Sequence, residues 1–233
     1  YTGTVNLYNV TDAATAKGTT NIYGGTVGVT GDFKQKTLDV KSDATLDLAK
    51  GQINSVTVDT LNFDDGAKLR LDVGKVGGVD RIDNITYTSG TGSIAVNSIN
   101  LMNDIDDGTL TWLSGGSGVT DNTATIKIAT SNAVYTFINT TPGVLDVTKG
   151  SAVTLPIIVK DPSYIFVSSY SLTNGDETMD SELGDLSGVG RNFTINGNGH
   201  ALNGQKSDTE NVAGITIGIG QTLTLNDVDM QNF

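Results

Sequence analysis

The amino-acid sequence predicts an all-β protein whose short strands stack into a parallel β-solenoid. Three observations carry this expectation. Apolar and polar residues alternate over many short runs, Gly, Asn and Asp punctuate those runs, and no convincing amphipathic helical window interrupts them. The chain has 233 residues with 29 Gly, 3 Pro and 37% hydrophobic residues, of which few are aromatic. Abundant Thr and Asn favour strands and tight turns. A chain so poor in large rings is expected to build a narrow core from layers of Val, Ile and Leu.

Taken in order, the alternating runs are Thr4-Val5-Asn6-Leu7, Lys36-Thr37-Leu38-Asp39-Val40-Lys41 and Ala44-Thr45-Leu46-Asp47-Leu48. Val56-Thr57-Val58, Leu61-Asn62-Phe63, Leu69-Arg70-Leu71-Asp72-Val73, Ile94-Ala95-Val96 and Ile126-Lys127-Ile128 follow. Strands this short bury no core alone, whereas stacking at about 4.8 Å buries the inward residues continuously and pairs the backbone. The last third repeats most clearly, with inward candidates Ile165 and Val167, then Phe193 and Ile195, then Ile215 and Ile217. Leu223 with Leu225 and Val228 with Met230 supply two further faces, the arrangement of a triangular coil. Ile195, Ile217 and Leu225 are therefore expected inside, and Thr194, Thr216 and Thr224 outside.

All 3 prolines, Pro142, Pro156 and Pro162, fall in one stretch and mark the most irregular connection. This suggests a first β-solenoid section over 1–150, ending in less regular β-structure, and the start of a second over 151–233. The run from Thr222 to Phe233 stops within strand-like alternation, so its end is expected to be covered, either by further chain or by a neighbouring copy in head-to-tail self-association.

The formal charge of −12 repels phosphate backbones and anionic lipid, which argues against nucleic acid as a partner. The absence of Cys removes disulfides, thiolate nucleophiles and zinc–thiolate sites together. With low Lys and high Thr, Asn and Gly, this composition suits a bacterial surface protein that crosses a periplasm without forming disulfides. No apolar run is long enough for a membrane-spanning helix. Tyr1 opens no basic-then-apolar segment, so any secretion signal is expected to be removed or to lie outside this sequence.

Phe193-Thr194-Ile195-Asn196-Gly197-Asn198-Gly199-His200-Ala201-Leu202-Asn203-Gly204, with Gly214-Ile215-Thr216-Ile217 and Leu223-Thr224-Leu225-Asn226-Asp227-Val228, resembles the early rungs of pectin-lyase-like right-handed β-helices. It is especially similar to those of bacterial autotransporter passengers and related surface adhesins. Phe63-Asp64-Asp65-Gly66-Ala67-Lys68-Leu69-Arg70-Leu71-Asp72-Val73-Gly74, followed by Asp80-Arg81-Ile82, is similar to the late, less regular part of such passengers. The resemblance implies a right-handed parallel β-helix and an extracellular, cell-surface setting.

The residue types that carry chemistry are dispersed. His200 is the only histidine, and Gly199-His200 resembles the Gly-His-Gly motif of pectin-degrading hydrolases of this fold. Ala201 replaces the second Gly and no hydrolase-type Asp cluster accompanies it, so His200 is read as a turn residue. Glycoside cleavage requires converging carboxylates. Asp64 with Asp65, then Asp104, Asp106 and Asp107, then Asp176, Glu177, Asp180, Glu182 and Asp185, all sit beside Gly or Asn turns, where acids are ordinarily solvated. Such oxygen-only groups suit Ca²⁺ better than a transition metal, yet Ile105 stands where the Ca²⁺ loop pattern wants a ligand. No catalytic, cofactor or metal residue is assigned, with Ca²⁺ in these loops the alternative.

Trp112 alternates with Leu in a strand-like run and reads as half-buried packing before sugar stacking. The seven tyrosines form no single periodic stripe. The Asn-x-Thr sequences at Asn9, Asn84, Asn139 and Asn192 read as turns in an Asn- and Thr-rich chain, and the glycines from Gly74 to Gly78 lack the Lys and Ser/Thr of a phosphate loop. The expected function is a non-enzymatic structural or adhesive segment, an autotransporter-passenger-like stalk or adhesin presenting loops to a host or cell-surface receptor or glycan. The alternatives are a self-assembling extracellular filament subunit and a polysaccharide lyase or glycosidase on the same scaffold. For the enzyme, clustered Asp with Lys or Arg on one face would discriminate, and Arg191 has no such cluster.

Overall fold

The computed structural model describes residues 3–8, 18–74, 78–85, 93–115, 120–164, 166–179, 184–185, 192–204, 215–217 and 219–232. Strands dominate these residues, which makes the chain all-β, and they pair mostly in parallel. The chain forms two compact units. Residues 1–100, 107–125 and 137–147 make the first, and 101–106, 126–136 and 148–233 the second.

The first unit opens with β1 (Thr4–Tyr8), β2 (Thr19–Ile22), β3 (Gly25–Thr30), β4 (Asp32–Val40), β5 (Ala44–Asp47), β6 (Ser55–Phe63) and β7 (Lys68–Gly74). Then come β8 (Gly78–Val79), β9 (Arg81–Ile85), β10 (Ser93–Ile94), β11 (Val96–Leu101), β12 (Gly108–Thr111), β13 (Leu113–Gly115) and β14 (Thr120–Asp121). One sheet runs β1-β3-β5-β7-β11 and another β2-β4-β6-β9-β13, so successive strands from β1 to β7 alternate between them.

Period two dictates the packing: alternate side chains point inward, and a matched parallel register lays each on its counterpart. Ile22, Val40 and Phe63 stack in this way, as do Phe33, Val56, Ile82 and Leu113. All seven are buried. Burial of each large apolar side chain is worth about 1.5 to 3 kcal/mol. Val56–Val58 and Leu61–Phe63, two separate alternations in the sequence, belong to the one strand β6. Its inward phase shifts at Asp59-Thr60, and β4 shifts at the matching position, so the register between them survives.

β7 and β8 pair antiparallel as a hairpin in which Gly78 takes φ 78. Later in the chain come β15 (Ile126–Ala129), β16 (Val134–Thr141) and β17 (Val144–Lys149), and β12 pairs antiparallel with the 144–147 part of β17. Pro142-Gly143 makes the tight turn from β16 to β17, with Gly143 at φ 81. The Gly143 carbonyl accepts the amides of Trp112 at 2.9 Å and Leu113 at 3.3 Å.

In the second unit β15 pairs in parallel with β18 (Val167–Ser171), after the helix α1 (Leu155–Lys160) and a 3-10 turn at Pro162–Tyr164. Next are β19 (Glu177–Thr178), β20 (Gly184–Asp185), β21 (Phe193–Asn203), β22 (Ile215–Thr216) and β23 (Leu223–Gln231). β21 pairs in parallel with β18, β19 and β23, and β20 with β22. The helix is absent from the sequence expectation because six residues are too few to show a 3.6 period. Its Leu155, Ile158 and Val159 fall on one face and join a buried cluster with Val167, Tyr170, Leu172, Phe193, Ile195 and Leu202.

The inward ladder is correct for Val167, Phe193 and Ile195, which are buried, and incorrect for two members. Ile217 is 48% exposed, since it lies beyond the two-residue strand β22 and has no ladder to hold it inward. Leu225 stacks on Ile195 but is 45% exposed, because β23 has no second strand against it among the described residues. Ile165 lies outside the described residues.

Candidate functional site

The described acids form three kinds of environment. The first surrounds Asp104, in the short loop after β11. Its Oδ1 accepts the hydroxyls of Thr130 at 3.1 Å and Thr173 at 2.8 Å, while its Oδ2 accepts the side-chain amides of Asn132 at 2.5 Å and Asn174 at 3.1 Å. A carboxylate only accepts, which fixes both amides with nitrogen toward it. Thr130 and Asn132 come from the tight turn after β15, where the Thr130 hydroxyl also accepts the amides of Asn132 and Ala133. Thr173 and Asn174 come from the turn after β18. Burial opposes ionisation of Asp104, but the four donors outweigh it and hold the carboxyl below its usual range.

Beside this knot lie two tyrosines and a second carboxyl. The Tyr170 hydroxyl donates to Glu177 Oε2 at 2.7 Å. Burial raises Glu177 above the usual carboxyl range, against the favourable hydroxyls of Tyr170 and Ser131, and the charge on Asp104 pushes the same way as burial. Tyr170 is raised by burial and then by Glu177. Tyr135 is pushed up to about 12 by burial and then by the Asp104 charge. Its buried hydroxyl has no hydrogen-bond partner among the described residues. Asp104 and Glu177 are thus two partly exposed carboxyls of one cluster, driven in opposite directions.

The second environment is an irregularity between β21 and β23. Asn198, Gly199 and Asp227 take positive φ of 52, 80 and 46, where the register between β21 and β23 shifts. Asn198 donates its amide to the carbonyls of Leu172 at 2.9 Å and Leu101 at 3.2 Å, at an irregularity inside β21 where the sequence reads as a turn, and His200 lies in the strand opposite Val228. Gly197 is required here, since a Cβ would collide with the Asp227 carbonyl and Val228. His200 Nδ1 lies 3.9 Å from Asp176 Oδ1, which already accepts the Ala201 amide at 2.7 Å. A shallow depression of 360 Å³ between Gly199, Leu225, Asp227, Val228 and Asp229 adjoins this irregularity.

The third environment is interior. Asp72 and Asp80 are fully buried in the first unit, linked through the Asp72 amide, which donates to Asp80 Oδ2 at 2.5 Å, and the Asp80 amide, which donates to the Asp72 carbonyl at 3.0 Å. Asp80 Oδ1 accepts the Asn54 amide at 2.6 Å. Asp72 accepts the amides of Gly51 at 2.6 Å and Gln52 at 3.1 Å, and the Asn100 side chain at 2.7 Å. Burial pushes Asp72 up to about 6 and Asp80 up to about 8, with Asp72 adding to the rise in Asp80.

The candidates noted in the sequence separate accordingly. Asp64 pairs with Lys41 at 3.6 Å, Asp65 accepts from Ser93 at 3.2 Å, and Asp106 and Asp107 are exposed. Asp180, Glu182 and Arg191 lie outside the described residues, as do Asn9 and the side chains of Asn84 and Asp185. The described residues hold no group of three or more His, Cys, Asp or Glu arranged for a metal ion. Trp112 is buried completely rather than half-buried. The convergence of Asp104 with Glu177 is missed by reading each acid within its own turn, and that of Asp72 with Asp80 is missed because Asp72 reads as an outward strand residue and Asp80 does not read as a candidate acid. Thr130-Ser131-Asn132 and Thr173-Asn174, two similar hydroxyl–amide turns, were the available signal for the first.

Such geometry supports turn-locking, proton holding and exposed polar recognition. Compared with protein-family models, curated proteins and solved structures, the chain matches none.

Proposed function

We propose that the chain is a structural or adhesive segment of an extracellular bacterial surface protein, of the autotransporter-passenger or adhesin type, with its strands wound as a right-handed parallel β-helix. The observation that carries this reading is the alternation of β1 to β7 between two parallel sheets with apolar residues stacked strand on strand. Parallel crossovers are right-handed almost without exception, and such stacking extends a molecule linearly to present its turns to another surface. The acidic, cysteine-free, Thr- and Asn-rich composition supports the setting. Antibody against the chain should label intact, unpermeabilised producing cells. Signal only after permeabilisation would overturn the placement, and failure of the purified chain to bind host-cell monolayers or glycan arrays would leave a stalk without an adhesive role.

One observation favours the rival polysaccharide-cleaving reading: Asp104 and Glu177 are pushed in opposite directions, the pattern of a base and an acid. Both Asp104 oxygens are already occupied by donors, which favours a locked turn over a working nucleophile. Glycan cleavage lost in both Asp104→Asn and Glu177→Gln would reverse this ranking.

A further inference from the structure

We propose that β23 of one copy receives β1 of a second copy as its next parallel strand, with Thr4, Val5 and Asn6 laid on Thr224, Leu225 and Asn226, so that copies associate head to tail. Both strands are edges: among the described residues β1 pairs only with β3, and β23 only with β21. Each also ends a column of stacked apolar side chains whose exposure rises toward the edge. In the first unit Leu69 and Leu46 are buried, Val27 is half-buried and Val5 is 48% exposed. In the second, Tyr170 and Ile195 are buried and Leu225 is 45% exposed. An unpaired strand that shows apolar side chains is a template for another strand.

Three features select β1 as the occupant. The first is side-chain order. Thr194-Ile195-Asn196 and Thr224-Leu225-Asn226 already lie on one another, and Thr4-Val5-Asn6 repeats their sequence of hydroxyl, branched apolar and amide. Thr60-Leu61-Asn62 has it too, but Leu61 is sealed in the core. The second is an amide ladder. Asn226 Nδ2 donates to Asn196 Oδ1 at 2.9 Å, and Asn196 Nδ2 to Ser171 Oγ at 3.4 Å, so each amide turns its nitrogen toward the preceding strand and its oxygen toward the following one. Asn226 Oδ1 is the last acceptor of this ladder. Asn6 holds its own oxygen over Gly28, which leaves its nitrogen to donate there.

Backbone phase is the third feature. In a parallel ladder alternate residues point their N–H and C=O to opposite sides, and each opposed pair joins one residue facing the neighbour with one facing away. The Thr26 amide donates to the Gly3 carbonyl at 3.0 Å, so Val5 faces β3 while Thr4 and Asn6 face the free edge. The Phe193 amide donates to the Thr222 carbonyl at 3.0 Å, so Thr224 and Asn226 face β21 while Leu225 faces the free edge. Outward Leu225 therefore meets inward-bonded Val5, and outward Asn6 meets inward-bonded Asn226, as the ladder requires. A slip of one residue would break this alternation and lift Val5 off Leu225. β23 departs from the strand line at Asp227, with φ 46, so the shared ladder is short and the association reversible. Neither triplet carries a charge, whereas the chain as a whole is at −12, so added salt strengthens the contact.

The test is analytical ultracentrifugation of the purified 233-residue chain over a range of concentrations in added salt. The contact joins two different edges, so mass should climb with concentration past that of a dimer. Val5→Glu closes the β1 edge and Leu225→Glu the β23 edge, each at a half-exposed position. Either variant alone should remain monomeric. An equimolar mixture should give one-to-one dimers and nothing larger, because each variant keeps the edge that the other lacks. Should a variant not fold, amide hydrogen exchange of the native chain decides, with the outward amides of Thr4, Asn6 and Leu225 expected to slow as concentration rises. A native chain that stays monomeric at every soluble concentration, a mixture that does not dimerise, a Val5→Glu chain that still pairs through two β23 edges, or exchange at these amides that ignores concentration would each overturn the docking.

Discussion

Ile195 and Ile217 have the same side chain and similar local sequence, yet one is fully buried and the other is 48% exposed. Ile195→Asp should unfold the second unit, because it forfeits about 1.5 to 3 kcal/mol of burial and places an unpaired charge inside. Ile217→Asp should move the urea midpoint only slightly. Equal effects would mean that the register of β21 is misassigned. Asp104 gives a second prediction at this scale. Its lowered carboxyl contributes stability that is present above its unfolded value near 3.8 and is lost as pH falls through the folded value. Asp104→Ala should cost at least about 1 kcal/mol at neutral pH through four abandoned donors, and chemical denaturation below pH 4 should show the difference shrinking.

Among the elements, the turn between β16 and β17 depends on one residue. Gly143 combines φ 81 with a close approach in which a Cβ would meet Leu113 Cβ at 2.5 Å and the Leu113 carbonyl at 2.7 Å. Asp121 Oδ2 accepts its amide at 2.8 Å, and its carbonyl receives Trp112 and Leu113. Gly143→Ala therefore faces backbone strain of about 1 to 2 kcal/mol in addition to the collision. Thermal denaturation should show a fall larger than the same change at Gly51, which has positive φ but open space around its Cβ position. Similar losses at both sites would show that the close contact with Leu113 is relieved at no cost. The helix α1 is the complementary case, in which three apolar residues on one face dock into the core and local propensity counts for little.

For the whole molecule, strands far outweigh the single six-residue α-helix and the 3-10 turn among the described residues. Far-ultraviolet circular dichroism should show β-structure as the dominant signal, and helix near the third typical of ordinary globular domains would contradict the fold. Alternation in Ala44–Leu48, Leu69–Val73 and Ile126–Ile128 was legible directly, because a period of two needs only neighbours to be read. The same runs fixed which residues face inward at Leu46, Leu69 and Ile128, all buried as expected. The sequence by itself thus determined the class of structure and the acidic charge, both local properties of composition and spacing, whereas Asn139 and the Asn196–His200 segment, read as turns, lie in strands. Tertiary structure alone decided which turns meet: Asp104 with Thr130, Asn132, Thr173 and Asn174, and Asp72 with Asp80 and Asn54. Asp72 meets Asp80 across the β7–β8 hairpin, while the other meetings join different strands or turns through the stacking register, and whether a carboxyl is solvated or sealed depends on what the fold lays over it, which no run of neighbours encodes.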